Sequence, residues 1–207
     1  IGVQMPMEKV KNGIELAVKA LSDKGGHDSA LAIMTTDTRP KETAVFFQVD
    51  GKIVTVAGMV KGAGMIAPKM TTQLHATMLS FVTTDANVSP EFLSKTLSDA
   101  VESSFNRISV DGDMSTNDSV FVMANGESGT SELNGNCENS KLFSEALTEV
   151  LVTLAKKIVM DGEGATKFVT IEVNNAANEA DARKCAQAVA NSLLCKTAWF
   201  GGDPNWG

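Results

Sequence analysis

Apolar positions along the chain change period several times, and each change marks an element. Between Glu8 and Leu21 the residues Val10, Ile14, Ala17, Val18 and Leu21 recur at three and four, which predicts an amphipathic helix stopped by Lys24-Gly25-Gly26. A short apolar segment, Ala30 to Met34, then runs into the hydroxyl-rich Thr35-Thr36-Asp37-Thr38. Ala44 to Val49 and Lys52 to Gly58 flank Asp50-Gly51, the signature of a two-residue hairpin turn between strands. The β-branched run that follows Thr77, TMLSFVTT, reads as a buried strand.

Ser89-Pro90-Glu91 supplies an N-cap and a proline at the first helical position, predicting a helix to about Ile108 through Phe92, Leu93, Leu97, Val101 and Phe105. Val120 to Ala124 is a further strand, and Gly126 to Asn136 a polar surface loop. A long helix from about Lys141 to Val159 carries Leu142, Ala146, Val150, Leu154 and Ile158 on one face and ends at Asp161-Gly162-Glu163-Gly164. Beyond it the pattern predicts a strand from Lys167 to Val173, a helix from Asp181 to Leu194 and a strand from Lys196 to Phe200. Strands and helices alternate, so the fold class is α/β, with mixed β-sheets packed against helices.

Composition narrows the chemistry. With 207 residues, 43% of them hydrophobic, the chain can bury a sizeable core in one or two domains. A net charge of -7 argues against a nucleic-acid or anionic-membrane surface and favours a small-molecule substrate. No apolar run reaches the length of a membrane span and no signal peptide opens the chain, so a cytoplasmic protein is expected. Cys137, Cys185 and Cys195 lack C-x-x-C spacing; Cys185 and Cys195 are expected to be buried packing residues and Cys137 a free thiol. With only His27 and His75 and no H-E-x-x-H pattern, no metal site is expected. Asp111-Gly112-Asp113 offers too few spaced oxygens for an EF-hand.

The candidate chemistry centres on Lys61 to Asp85. Lys61-Gly62-Ala63-Gly64 is a weak motif by itself and lacks the spacing of a phosphate-binding loop. Thr77 at the head of a strand is ordinarily a β-former on a sheet. The sharper reading is a nucleophile freed by cleavage of the Ala76–Thr77 bond, its new α-amino group serving as its own base, which suits a chain so poor in histidine.

At these residues a resemblance is evident. GMVKGAGMIAPKM (58 to 70), ATMLSFVTTDA (76 to 86), LAKKIVMDGEGATKFV (154 to 169) and KTAWFGGDPNWG (196 to 207) resemble the bifunctional ornithine acetyltransferase family, also called glutamate N-acetyltransferase or ArgJ, of arginine biosynthesis. The resemblance implies a self-cleaving, N-terminal-nucleophile-like α/β fold. It also implies acetyl transfer from N2-acetylornithine to glutamate through an acetyl-threonine. Thr77 becomes the nucleophile and a substrate contact. Lys61 becomes the partner of a substrate carboxylate, Glu163 that of a substrate amino group, and Thr35 a further substrate contact, although the choice among Thr35, Thr36 and Thr38 is open. Residues 1–76 would belong to an α piece and 77–207 to a β piece, associating as α2β2. Ser115-Thr116-Asn117-Asp118 would be a loop near the active centre. No cofactor is required, and acetyl-CoA remains open as a second acetyl donor.

One departure lies beside the nucleophile. The family joins its Pro-x-Met segment directly to Ala-Thr-Met-Leu, whereas Thr71, Thr72, Gln73, Leu74 and His75 intervene here. Thr77 keeps the Ala-Thr-Met-Leu context and its strand; Thr72 keeps only the spacing from Lys61. Thr77 is favoured because a nucleophile is placed by the rigid element it starts. The chain looks like the middle of a longer protein, since the family's oxyanion-hole Thr-Gly pair lies upstream of the match to Ile1-Gly2 and further substrate ligands lie beyond Gly207. The rivals are a self-cleaving amidase or aminopeptidase, which would give the acyl group to water, and an inactive relative.

Overall fold

The computed structural model describes residues 3–70 and 77–204. Two helices, α1 (Met7–Lys19) and α2 (Gly26–Ala32), precede the hairpin of β1 (Lys41–Val49) and β2 (Lys52–Lys61). Then come β3 (Leu79–Thr84), α3 (Pro90–Ser103), a single 3₁₀ turn at Phe105–Arg107, β4 (Ser119–Ala124), α4 (Glu138–Met160), α5 (Glu179–Ala190) and α6 (Leu193–Gly201). The strands form one sheet in the order β1-β2-β3-β4. The first two pairings are antiparallel and β3 pairs with β4 in parallel. That parallel step needs a crossover, which α3 supplies.

The hairpin forms where Asp50-Gly51 predicts it. Both residues take positive φ, 53° and 74°, the mirror-image turn that matches the twist of the flanking strands. Val49 pairs with Lys52 across it. On the inner face, Val54, Val56, Val60 and Val82 are buried under α4, whose Phe143, Leu147, Val150, Leu151, Leu154 and Ile158 are inaccessible. Each such side chain contributes about 1.5–3 kcal/mol on leaving water. Helix α3 packs against α4, and its cap is the expected one: the Ser89 hydroxyl accepts from the Phe92 N–H at 3.4 Å, with Pro90 next in line. The helix stops at Ser103 rather than continuing to Ile108, with Phe105 inaccessible in the tighter turn that follows.

Several expectations are corrected. Residues 167–173 form no strand: among the described residues the sheet consists of β1 to β4, this segment pairs with none of them, and an extended segment without a partner is not stable as a strand. Lys196 to Phe200 is helical, not extended. The Ser192 side chain accepts from the Cys195 N–H, and Gly202 closes the helix in the left-handed conformation at φ 68°, so local capping outweighs the β-propensity of Thr197, Trp199 and Phe200. The helix expected from Asp181 to Leu194 breaks at Asn191, and neither α5 nor α6 has a buried residue. Cys185 is therefore exposed and Cys195 half-exposed, not core residues. The segment Ala30 to Met34 is mostly the end of α2. Helix α1 forms as its periodicity predicts, but its apolar stripe stays open, with Ile14 and Val18 both about 60% exposed. Among the described residues no helix is long and apolar enough to cross a membrane.

Candidate active site

The corner between β2 and β3 assembles the candidate residues. Lys61 ends β2 directly opposite Leu79, two residues beyond Thr77, so the lysine and the threonine leave the sheet at the same edge. Thr77 is fixed at its backbone and its hydroxyl. Its N–H donates to Asp118, and the same carboxylate oxygen accepts from the Met78 N–H at 2.6 Å. Its Oγ1 is hydrogen-bonded to the Ser115 hydroxyl and lies 3.3 Å from the Met65 sulfur. The Ser115 oxygen also accepts from the Asn117 N–H at 3.2 Å. The loop of residues 115–118 thus folds over the head of β3 because β4 begins beside it.

Met65, a non-glycine residue at φ 57°, is held in this uncommon conformation by Asp111. One carboxylate oxygen of Asp111 accepts from the Met65 N–H at 2.5 Å and the other from the Ile66 N–H at 2.9 Å. Asp111 is therefore spent on backbone donors. Among the described residues no group of three or more His, Cys, Asp or Glu side chains is placed to hold a metal ion.

Glu163 reaches the same corner from the end of α4. Its N–H donates to the Ala63 carbonyl at 2.8 Å, and a Cβ added at Gly64 would sit 2.9 Å from its carboxylate carbon. Thr35 is joined less directly: its N–H donates to Asp37 at 3.1 Å, and Asp37 accepts from the Gly62 N–H at 2.7 Å. Thr35, Lys61, Thr77 and Glu163 thus converge on one edge of the sheet. Ala76 and Thr72 lie outside the described residues. A concavity of about 590 Å³ between α4 and α5 contains none of the four, and another of about 410 Å³ has Glu163 on its wall. The site is an open corner, not either of these hollows.

Beneath the corner lies a feature that periodicity and motif did not disclose. Lys41, 1% exposed, places its Nζ 2.5 Å from Asp37 Oδ1 and 2.5 Å from Asp161 Oδ2. Asp161 also accepts from the Thr38 N–H at 3.1 Å and from the Thr38 hydroxyl, with the Arg39 guanidinium 3.7 Å away. Burial pushes both carboxyls up, but hydrogen bonds outweigh it: from Gly62, Lys41 and Thr35 for Asp37, and from Lys41 and Thr38 for Asp161. Both sit below the usual aspartate range. Removing one member of such a buried set leaves an uncompensated charge and typically costs about 3–5 kcal/mol. A signal was available: Lys41 shares the inward register of Thr43, Val45, Phe47 and Val49, where a charge requires a partner.

Comparison with known proteins places the chain in a family. The family model described as the ArgJ family matches residues 1–207, the whole chain. The chain belongs to the ArgJ family. It is 51% identical over 207 residues to the arginine biosynthesis bifunctional protein ArgJ of Symbiobacterium thermophilum, covering 100% of this chain and 50% of that relative. It is 52% identical over 208 residues to the glutamate N-acetyltransferase of Methanocaldococcus jannaschii, with the same coverage. The chain spans about half the length of these curated ArgJ relatives. The crystal structure of ArgJ from Bacillus halodurans superposes with a TM-score of 0.61 at 48% identity, over 63% of this chain and 62% of that one. The α/β class read from the sequence therefore holds, and the ArgJ resemblance of the four sequence blocks extends over the full chain.

Proposed function

We propose that this ArgJ chain performs acetyl transfer from N-acetylornithine to glutamate, with Thr77 as the nucleophile. The observation that carries the reading is the environment of Thr77, its hydroxyl on Ser115 and its nitrogen on Asp118, at a corner shared with Lys61 and Glu163. In the first step Thr77 Oγ1 attacks the Ala76 carbonyl carbon, the chain shifts from nitrogen to oxygen, and water releases the Ala76 carboxylate. The freed α-amine then takes the hydroxyl proton as Oγ1 attacks the acetyl carbonyl of N-acetylornithine. Ornithine leaves with that proton, and the acetyl ester on Thr77 passes to the amine of glutamate. Asp118 would anchor the new terminus, while Lys61 and Glu163 meet a carboxylate and an ammonium of the substrates. Acetyl-CoA is a further candidate donor to the same oxygen, and no cofactor enters the steps.

On this reading residues 1–76 and 77–207 are pieces of separate α and β chains, assembling as α2β2. A cytoplasmic setting is supported by three unpaired thiols. The test is the intact mass of the full-length protein, before and after incubation with N-acetylornithine. Two pieces, one starting at Thr77 and gaining an acetyl group, are expected. A cut before Thr72 moves the nucleophile, and an unmodified single chain refutes the mechanism. Ornithine released without acetylglutamate, in the presence of glutamate, would make the enzyme an amidase.

A further inference from the structure

We infer that Lys41 is a positioning residue of this site: its ammonium, shared between Asp37 and Asp161, sets the spacing of the Lys61–Gly62 corner from the Glu163 turn, and with it the spacing at which the two charged groups of a substrate are held. The inference rests on the reading of Lys61 and Glu163 as substrate partners. Three connections carry it. Asp37 Oδ1 takes the Lys41 Nζ at 2.5 Å and the Gly62 N–H at 2.7 Å, so the lysine holds the residue next to Lys61 through one carboxylate oxygen. On its other side Lys41 holds Asp161 at 2.5 Å, two residues before Glu163. The corner and the turn also touch directly, through the Glu163 N–H on the Ala63 carbonyl at 2.8 Å, so a shift of either is passed to the Glu163 carboxylate.

Lys41 does not touch substrate. Its side chain is 1% exposed and those of Asp37 and Asp161 are 0% and 2% exposed, which places the three under the site floor. Without the ammonium the two carboxylates would face each other across the space it fills. Like charges at that separation in a buried setting repel strongly, and the freedom left to them is to part, carrying Gly62 away from Asp161. The backbone donors of Thr35, Thr38 and Gly62 remain on the carboxylates, so the loops stay formed while their separation widens.

The experiment compares the full-length wild type with Lys41→Met, a substitution that keeps length and removes charge. Folded fraction, cleaved fraction by intact mass, and steady-state KM and kcat for acetyl transfer from N-acetylornithine to glutamate are measured together. The Met variant is expected to be cleaved as the wild type is, with KM up about tenfold or more and kcat changed less than about threefold. If Lys41→Met does not fold, Lys41→Arg, which keeps the charge but is too large for the two 2.5 Å contacts and so spreads the carboxylates, is read in the same way. A purely structural lysine would lower the melting temperature and the yield at unchanged KM, and that result overturns the inference. A wild type that transfers no acetyl group overturns the reading of the site and this inference with it; an active wild type with an unchanged KM in the variant overturns this inference alone.

Discussion

Gly64→Ala tests the proposed substrate clamp with a single methyl group. A Cβ at position 64 would lie 2.9 Å from both the carboxylate carbon and Oε1 of Glu163, and 3.1 Å from Oε2. Ordinary contact begins near 3.4 Å, so the carboxylate must withdraw by about 0.5 Å. The backbone at Gly64 is not in the left-handed region, and the clash is with the far end of a flexible side chain. The fold should therefore tolerate the change, and the loss of chain freedom in the unfolded state could even add about 0.4–1 kcal/mol of stability. What suffers is the aim of Glu163. A hydrogen bond to a charged group contributes about 1.5–3 kcal/mol, and the exposure of Glu163 reduces this to about 1–2 kcal/mol. KM for the substrate bearing the ammonium should rise about 5- to 30-fold. The assay is steady-state acetyl transfer by the full-length protein, with thermal unfolding in parallel. In a Glu163→Ala background the same methyl should add nothing, since the carboxylate it displaces is gone. An unchanged KM, or a melting temperature that falls by several degrees, would mean the backbone absorbs the clash and that Glu163 is not the partner.

Leu154→Ala removes an inaccessible side chain from the center of α4 and should cost about 3 kcal/mol, read from chemical denaturation at constant m-value. Ser89→Ala deletes the α3 cap, whose 3.4 Å hydrogen bond puts the loss at the low end, about 0.5 kcal/mol by the same measurement. Asp37 and Asp161 titrate lower in the folded chain than in the unfolded one, where aspartate lies at about 3.9. Below that value the unfolded chain binds protons first, so their contribution is complete above about pH 5 and is lost as pH falls from about 4 through the folded values. Thermal unfolding followed across this window should show that acid limb, and Asp161→Asn should flatten it.

What the sequence disclosed and what it withheld divide along a physical line. The hairpin followed from Asp50-Gly51, α3 from Ser89-Pro90, and α4 from a long apolar stripe, all interactions within a few residues of each other. Thr77 at the head of a strand was legible for the same reason. Residues 167–173 have the alternation of a strand but pair with no strand among the described residues, and pairing is not a local property. In α6 the cap at Ser192 and the glycine at 202 were local signals that β-propensity concealed. The Lys41 network was invisible to motif and period alike because its members come from two stretches of chain 120 residues apart; only the charge at an inward position hinted at it.

That network also has a consequence for the order of events during folding. Lys41 meets Asp161 across 120 positions of sequence, and Thr38 meets it across 123. Contacts of such separation close late, after the hairpin and the helices that local interactions nucleate. During synthesis, a nascent chain that has released β1, β2 and β3 but not the end of α4 has Lys41 with one carboxylate in place of two, and a corner without its second anchor. Completion of the floor thus waits on the last turn of α4, and any chemistry at Thr77 that needs the finished corner is timed to a chain emerged beyond residue 161.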